Sequence, residues 1–281
     1  CFSAPGSMIG SIPNNPAWGA GRFRSRATAR ERRPLVLWPD IHVRPGFAPC
    51  QSSLRAPFLQ IAMTNTQPTK LDAAHFDSKA RQWDENPLFQ ARGQKIAQAI
   101  RQAVPLHKHM NALDYGCGTR LLSFPLKDEL GAILLADSSS GMLDVLAGKI
   151  AAQGVGNMTP VKLDLLVDPP PAQRFDLIYT SMTLHHVPDT DHILRIFHDL
   201  LKPGGTLCIA DLDQEDGSFH GPEVDVHHGF DQADLSLRAA KAGFADMQFQ
   251  TVFSITKENE AGTRDYPVFL MTARRAGAPC L

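Results

Sequence analysis

The feature that most constrains this fold is a short apolar segment that runs into an acid and two closely spaced glycines. Residues 110–120 read Met-Asn-Ala-Leu-Asp-Tyr-Gly-Cys-Gly-Thr-Arg, so that Asp114 is followed by Gly116 and Gly118. Because glycine has no Cβ, the backbone there can turn sharply and lie against a ligand. The helix that follows directs its free N–H groups into the same space. The segment therefore predicts the first strand of a parallel α/β sheet, with a nucleotide-sized cavity at its end.

Apolar segments of strand length alternate with helical patterns beyond this turn. The predicted strands are 111–115, 132–136, 159–163, 175–180 and 206–210. The predicted helices between them are 121–129, 140–152 and 190–201. Near-continuous apolar strands separated by helices predict a parallel sheet that is covered on both faces. Lys202-Pro203-Gly204-Gly205 predicts a helix stop and a tight turn into the fifth strand.

The C-terminal part changes character. A helix predicted over 231–242 precedes two strand-like segments, 246–255 and 266–273, with no crossover helix between them. Two strands joined in this way must pair antiparallel. The predicted fold class is therefore α/β: a Rossmann-like, doubly wound, seven-stranded sheet of five parallel strands plus a C-terminal antiparallel hairpin.

Composition divides the chain into four segments. Residues 1–62 contain eight of the 21 prolines and eight arginines, and they show no persistent period. We expect them to be a disordered or non-native extension with Met63 as the natural start; the alternatives are a transit peptide and a basic arm. Residues 63–105 carry helical patterns over 70–84 and 87–103. We expect 106–275 to form the main domain and 276–281 to be a tail.

Charge and cysteine usage exclude several classes of protein. The net charge is −1, and since residues 1–62 contribute +6, the rest carries −7, which argues against a nucleic-acid partner. No run of 18 apolar residues occurs, so we expect no membrane association. The five cysteines are scattered without a Cys-x-x-Cys pair, which favours buried thiols in a reducing compartment. We expect a cytoplasmic protein, or a mitochondrial one if residues 1–62 are a transit peptide.

Two acids follow later strands at positions that suit a nucleoside. Asp137 ends the second predicted strand, where a carboxylate can accept hydrogen bonds from ribose hydroxyls. The alternative for Asp137 is a helix cap, because Ser138, Ser139 and a helix follow it. Asp164 follows the third strand, where it could accept from an adenine amine; the alternative is an exposed turn residue.

These positions together resemble the class I S-adenosylmethionine-dependent methyltransferases, over residues 70 to 274. The matching segments are Leu113-Asp-Tyr-Gly-Cys-Gly-Thr, Asp137, Asp164, Phe175-Asp-Leu-Ile-Tyr-Thr-Ser-Met-Thr-Leu-His-His-Val and Leu200-Leu-Lys-Pro-Gly-Gly-Thr-Leu-Cys-Ile-Ala-Asp. Phe76-Asp-Ser-Lys-Ala-Arg-Gln-Trp-Asp also resembles the N-terminal lid helix of bacterial small-molecule members, which makes 63–105 a helical lid. The resemblance implies methyl transfer from S-adenosylmethionine to a small-molecule acceptor.

The same resemblance implies roles for individual residues. Asp114, Gly116, Cys117 and Gly118 would hold the methionine end of S-adenosylmethionine. Its ribose would lie against Asp137 and Ser138, and its adenine against Asp164 and Leu165. The methyl-transfer site would be bordered by Thr180 and Ser181.

Histidines and acids after the fourth and fifth strands are further candidates. His185 and His186 lie near the expected acceptor pocket, where one could act as a general base; the alternative is packing or a capping role. The sequence does not indicate that His220, His227 and His228 converge, so we expect no metal site. We expect the acids Asp211, Asp213, Glu215 and Asp216 to form a solvated run.

One position departs from the family pattern. Where most members carry a third glycine, this chain carries Arg120. A long cationic side chain there could crowd the cofactor, so a catalytically impaired or non-catalytic relative is the alternative function. A nicotinamide oxidoreductase is a third hypothesis, and it predicts a parallel sixth strand. The sequence does not indicate an oligomeric state.

Overall fold

A seven-stranded mixed sheet organises the computed structural model, which describes residues 73–119, 121–221, 223–259 and 262–277. Its strands are β1 (Ala112–Tyr115), β2 (Ile133–Asp137), β3 (Met158–Lys162), β4 (Phe175–Ser181), β5 (Leu201–Leu212), β6 (Phe244–Asn259) and β7 (Gly262–Arg275). The α-helices are α1 (Ala73–Lys79), α2 (Pro87–Ala103), α3 (Ser123–Leu126), α4 (Ser140–Ala152), α5 (Thr190–Leu200) and α6 (Gln232–Lys241). Two single-turn 3-10 helices cover Trp83–Glu85 and Leu184–His186.

The strand order is β3-β2-β1-β4-β5-β7-β6. Strands β1 to β5 pair in parallel, whereas β7 pairs antiparallel with both β5 and β6. The predicted fold class is confirmed: five parallel strands followed by a hairpin whose second strand lies against β5. The nicotinamide hypothesis required a parallel sixth strand, but β6 is antiparallel to its neighbour β7.

Helices α2 and α4 begin and end where their sequence patterns predict. The cap of α2 is Asn86, whose Oδ1 accepts from the Leu88 N–H at 2.9 Å, and Pro87 occupies the first helical position. The helix predicted over 121–129 was too long, since α3 has only four residues. It contains Pro125, which has no N–H to donate. In place of the single helix predicted over 70–84, the described residues form α1, which ends at Lys79, and a separate 3-10 turn over Trp83–Glu85.

The hairpin strands and β5 are longer than predicted. Strand β5 already pairs with β4 at Leu201, and the register between them shifts across the Lys-Pro-Gly-Gly segment. Gly204 in that segment has φ +79°, so the expected tight turn forms an irregularity within the strand rather than a separate loop. The hairpin loop is short, because Asn259 pairs directly with Gly262.

Each face of the sheet is covered by helices. On one face Ile96 and Ile100 of α2 pack in the same cluster as Leu146 of α4. The cluster on the other face contains Ile193 and Phe197 of α5 together with Leu235 of α6. This doubly wound arrangement places the carboxyl ends of the parallel strands at one edge, where ligands bind in open α/β sheets. Among the described residues, no helix combines the length and the apolar character needed to cross a bilayer.

Candidate functional site

A cavity of about 340 Å³ opens at the carboxyl ends of the parallel strands. Eight of the predicted cofactor residues line it: Asp114, Gly116, Cys117, Gly118, Asp137, Ser138, Asp164 and Ser181. Tertiary structure therefore brings together residues that are up to 67 positions apart in the chain. We call this space the first cavity.

The two glycines of the opening turn both need a backbone conformation that other residues rarely adopt. Gly116 has φ +70° and Gly118 has φ +52°. A Cβ on Gly116 would lie 2.3 Å from the Thr183 side chain, whereas a Cβ on Gly118 would meet no atom within 4 Å. Gly116 is thus required by both conformation and space, and Gly118 by conformation alone.

Asp114 lies at the floor of the first cavity and is almost fully buried. The Ser123 hydroxyl donates to its Oδ2 at 2.6 Å and is itself 2.6 Å from the Tyr179 hydroxyl. Burial raises the pKa of Asp114 to about 7; the Ser123 hydrogen bond acts in the opposite direction, and the nearby charge of Asp137 adds to the rise. A buried carboxyl group of this kind gains from a cationic partner.

Asp137 connects the glycine turn to the next helix. Its two carboxylate oxygens accept from the Gly118 N–H and the Ser139 N–H, each at 2.8 Å. The helix cap considered for Asp137 is provided instead by Ser139, whose Oγ accepts from the Met142 N–H at 3.1 Å. Since each carboxylate oxygen has a second lone pair, Asp137 can still accept from a ligand hydroxyl.

Asp164 closes a turn beside the first cavity, and its role toward an adenine amine stays a prediction. Its Oδ1 accepts from the Leu166 N–H at 3.0 Å, which closes a turn, and the residue also lines the first cavity. The side chains of Leu165 and Thr180 do not line it: each is 2% exposed and lies in the core. Side chains alternate along a strand, so Ser181 faces the cavity while its neighbour Thr180 faces the interior.

Several segments on which the sequence makes predictions lie outside the described residues. They are residues 1–72, Arg120 and residues 278–281. The hypotheses on the N-terminal extension, the start at Met63, most of the tail and the effect of Arg120 therefore stay predictions.

A second cavity of about 490 Å³ adjoins the first. Six residues line both spaces: Phe76, Trp83, Phe89, Arg92, Met182 and His186. Met182, at the junction, has φ +54°, which is unusual for a side chain of its type. Strained backbone of this kind persists only where the surrounding structure holds it, and it is concentrated at functional sites.

Three imidazoles meet at the second cavity. His185 is buried; its Nδ1 is 2.6 Å from Asp211 Oδ1 and its Nε2 is 3.1 Å from His220 Nε2. One ring nitrogen from each of His185, His186 and His220 lies within 4.8 Å of the other two. We call these residues the histidine cluster. Sequence analysis did not bring His220 to His185, because the two are 35 residues apart.

Asp211 corrects the expectation of a solvated acidic run. It is 0% exposed and accepts from the backbone N–H groups of Leu184 and Leu212 as well as facing His185. Burial acts to raise the pKa of Asp211, but His185 and these hydrogen bonds outweigh it, so the pKa lies below its usual value. The carboxylate is therefore ionised and accepts a hydrogen bond from His185 Nδ1–H.

The other two histidines of the cluster are held neutral. Burial, with the neighbouring His185, lowers the pKa of His186 to about 3. The same causes and the charge of Lys257 lower the pKa of His220 to about 4. The Nδ1 atom of His186 is buried and has no hydrogen-bond partner among the described residues. His227, by contrast, has its Nε2 2.9 Å from the Val187 carbonyl oxygen, a packing role.

Residues 89–257, more than half of the chain, match the family model described as a methyltransferase domain. The chain belongs to this family. The family assignment confirms the resemblance to the class I S-adenosylmethionine-dependent methyltransferases that was drawn from the glycine turn, the strand-end acids and the closing hairpin.

Two relatives of this methyltransferase are similar over part of their length. A ubiquinone biosynthesis O-methyltransferase of Coxiella burnetii is 31% identical over 150 residues, which cover 52% of this chain and 63% of the relative. An uncharacterised methyltransferase of Schizosaccharomyces pombe is 33% identical over 119 residues, which cover 40% of this chain and 42% of the relative. The chain thus matches less than two thirds of either relative.

A solved structure shares the fold. The phosphoethanolamine N-methyltransferase 2 of Haemonchus contortus, in complex with S-adenosyl-L-methionine, superposes with a TM-score of 0.55 at 17% identity. The superposition covers 64% of this chain and 52% of that one. At this identity the likeness concerns the fold alone.

One residue of the methyltransferase site was missed by sequence analysis. Arg92 of α2 is only 8% exposed, lines both cavities and lies 4.9 Å from the centre of the Phe89 ring. Burial lowers the pKa of Arg92 to about 10, and the charge of Asp211 acts against that shift. An arginine on an amphipathic helix ordinarily faces water, so only the packing reveals its position.

The segment that resembles a lid helix rests on α4. Asp77 Oδ1 accepts from the Ser139 hydroxyl at 2.6 Å and from the Gly141 N–H at 2.7 Å. Phe76, one residue earlier, lies edge-on to His186 with ring centres 5.4 Å apart. Helix α1 is thereby fixed to the N-terminus of α4 beside both cavities.

Proposed function

We propose that this chain transfers the methyl group of S-adenosylmethionine to a hydroxyl group of a small aromatic acceptor. The observation that carries the proposal is the pair of adjoining cavities with shared walls. Methyl transfer needs a donor and an acceptor held in line and in contact, and positioning supplies most of the rate gain. Two spaces that meet at Met182 and His186 suit this requirement.

The first cavity suits the donor. Asp114 offers a carboxyl group to the donor's amino group, while Gly116, Cys117 and Gly118 leave backbone room for its methionine end. Asp137 and Ser138 are placed for the ribose hydroxyls, and Asp164 for the exocyclic amine of adenine. The open space beside Gly118 supports this fit, because a Cβ there would meet no protein atom within 4 Å although Gly118 lines the cavity.

The second cavity suits a planar acceptor. Aromatic rings from four segments line it, those of Phe76, Trp83, Phe89 and Phe219. Aromatic walls bind planar ligands through stacked and edge-on contacts. The relative from Coxiella burnetii carries the name of an O-methyltransferase of ubiquinone biosynthesis, which supports an oxygen acceptor on a ring.

The protein's own groups position the two reactants and exclude water. When bound, S-adenosylmethionine supplies a methyl group on a positively charged sulfur. Ser181 and Met182, at the end of β4, border the line between the two cavities. His186 lies at the junction and is placed to orient the acceptor hydroxyl, while His185 is buried behind it and acts through its neighbours. We further propose that α1 serves as the lid, since Phe76 and Asp77 join it to the cavity wall and to α4.

Calorimetry with S-adenosylmethionine on the full chain tests the donor site, with NADH as the matched control. We expect micromolar binding of S-adenosylmethionine and none of NADH. A second assay measures S-adenosylhomocysteine formed with 3,4-dihydroxybenzoate as acceptor probe, against benzoate, which has no hydroxyl. Saturable NADH binding, or a donor that fails to bind, contradicts the proposal.

The non-catalytic alternative rests on Arg120 and has its own test. Calorimetry on the chain as it stands and on Arg120→Gly separates the two functions. Equal micromolar binding by both supports an active enzyme. Binding by Arg120→Gly alone supports the non-catalytic relative, because it shows that the arginine blocks an otherwise complete site.

A further inference from the structure

We propose that His185, His186 and His220 form a binding site for a divalent transition metal ion of the Zn²⁺ type, at the wall of the second cavity. The proposal replaces the expectation, drawn from the sequence, that the chain has no metal site. It does not depend on the proposed methyl transfer.

The spacing of the nitrogens carries the argument. A tetrahedral ion bound at 2.0–2.1 Å holds its ligand nitrogens about 3.4 Å apart. His185 Nε2 and His220 Nε2 are 3.1 Å apart, and one ring nitrogen of His186 lies within 4.8 Å of a ring nitrogen of each. Small side-chain rotations close this triangle around an ion. Three imidazoles with an open fourth position are a known ligand set for zinc.

The orientation of His185 provides the second observation. Asp211 Oδ1 lies 2.6 Å from His185 Nδ1, and a hydrogen bond from Nδ1–H to that oxygen leaves the lone pair of His185 on Nε2, the atom that faces His220. A carboxylate behind a ligating imidazole fixes its tautomer and raises its basicity. Asp211 is itself fixed by backbone N–H groups from Leu184 and Leu212. This carboxylate–imidazole pair is preorganised before any ion arrives.

The third observation is the orphaned nitrogen of His186. Its Nδ1 is buried without a hydrogen-bond partner, an arrangement that a protein ordinarily avoids unless a ligand or ion compensates. Charge around the cluster is mixed. Asp211 favours a cation, whereas Arg92 and Lys257 oppose one, since Arg92 interacts with Asp211 and Lys257 with His220.

Metal stoichiometry tests the proposal without reference to activity. The full chain is stripped with a chelator, incubated with Zn²⁺, freed of excess by gel filtration and analysed for bound metal. We expect about one equivalent that is bound with micromolar or tighter affinity. Substitution of Co²⁺ is expected to give the visible absorption of a four-coordinate ion.

Variants distinguish Zn²⁺ binding at the histidine cluster from adventitious binding at other histidines. The control is needed because the chain has 11 histidines. His220→Gln and His186→Gln are expected to weaken Zn²⁺ binding at least tenfold and to abolish the Co²⁺ absorption. His228→Gln is the matched control, since His228 belongs to the same loop but is exposed and outside the cluster. Unchanged affinity in His220→Gln, or equal losses in His220→Gln and His228→Gln, overturns the proposal. Calorimetry with S-adenosylmethionine on the same samples reports separately on the proposed function.

Discussion

The two cavities differ in how their walls are built. Apart from the residues that it shares with the second cavity, the first cavity is made mostly of consecutive or nearly consecutive residues at strand ends, such as Asp114 to Gly118. The second is made of single side chains from α1, α2, the 3-10 helices, the loop at Phe219 and His220, and β6. The first therefore depends on backbone conformation, and the second on the packing of distant segments.

This difference has a physical cause. A ligand common to a whole family is held mostly by backbone groups and short acids, which occupy fixed places in the fold. An acceptor that varies between members is held by side chains on loops and outer helices, which can change without disturbing the sheet. Substitutions in the two cavities should accordingly give separable effects.

The largest expected effect is that of Gly116→Ala. Its Cβ would lie 2.3 Å from Thr183, so the turn must move, and we expect S-adenosylmethionine binding to weaken by about 100-fold or more. Gly118→Ala, the matched control, adds only conformational strain, and we expect about a fivefold loss. Calorimetry on both variants, with circular dichroism to verify folding, measures the contrast. Equal losses would show that space at Gly116 is unimportant.

A pH dependence should mark the first cavity. The pKa of Asp114 is about 7 in the free protein, and a bound ammonium group favours its ionised form. Binding therefore releases a proton, and affinity should fall roughly tenfold between pH 7.5 and pH 6.

The stability of the free protein should change with pH in the opposite sense. Because the pKa of Asp114 is raised in the folded state, the folded state keeps a proton that the unfolded state loses. The free energy of unfolding therefore falls as pH rises from about 4 to 7.

Two variants separate these effects from general titration. Asp114→Asn should remove the pH dependence of donor affinity. Compared with the unsubstituted chain, it should stabilise the free protein more at pH 8 than at pH 5. Asp164→Asn should lower the affinity but keep the slope. Calorimetric titrations across this pH range, together with thermal melts, measure both quantities. A slope that survives in Asp114→Asn would assign the proton to another group.

A smaller effect should separate the donor from the acceptor, because one variant is expected to change only the donor KM and another only the acceptor KM. Asp164→Asn keeps the acceptor of the Leu166 N–H but loses the charge, so we expect the KM for S-adenosylmethionine to rise about fivefold with the acceptor KM unchanged. Phe219→Leu reshapes only the second cavity and should raise the acceptor KM by a similar factor. Steady-state kinetics with 3,4-dihydroxybenzoate measures both constants. If each variant changes both constants equally, the cavities do not bind separate reactants.

The smallest expected effect concerns the contact between α1 and α4. Asp77→Ala removes the acceptor of the Ser139 hydroxyl and of the Gly141 N–H, and we expect the donor to dissociate about twofold faster. Hydrogen exchange of the α1 amides should rise in parallel. The control is Asp144→Ala, which removes an exposed carboxylate from α4 itself. Identical exchange in both variants would exclude a lid fixed by Asp77.

Prediction from sequence succeeded where local rules dominate. Helices α2 and α4 were located to the residue because their caps and apolar periods lie within the segments themselves. It was less accurate for α3, whose length is limited by Pro125, and for the Lys-Pro-Gly-Gly segment, which pairing with β4 makes part of a strand. The family resemblance assigned Thr180 and Leu165 to the site, but the side to which each points depends on the packing of the core.

The sequence by itself determined the sheet, its order of helices and strands, the glycine turn and the acids at the ends of β1, β2 and β3. These follow from local conformational preference and from the burial of apolar faces, both of which act over a few residues. Only the tertiary structure decided that Asp211 is buried, that Arg92 borders both cavities and that His220 meets His185. Such contacts join segments far apart in the chain, and their energies arise from desolvation and charge pairing that no local pattern encodes.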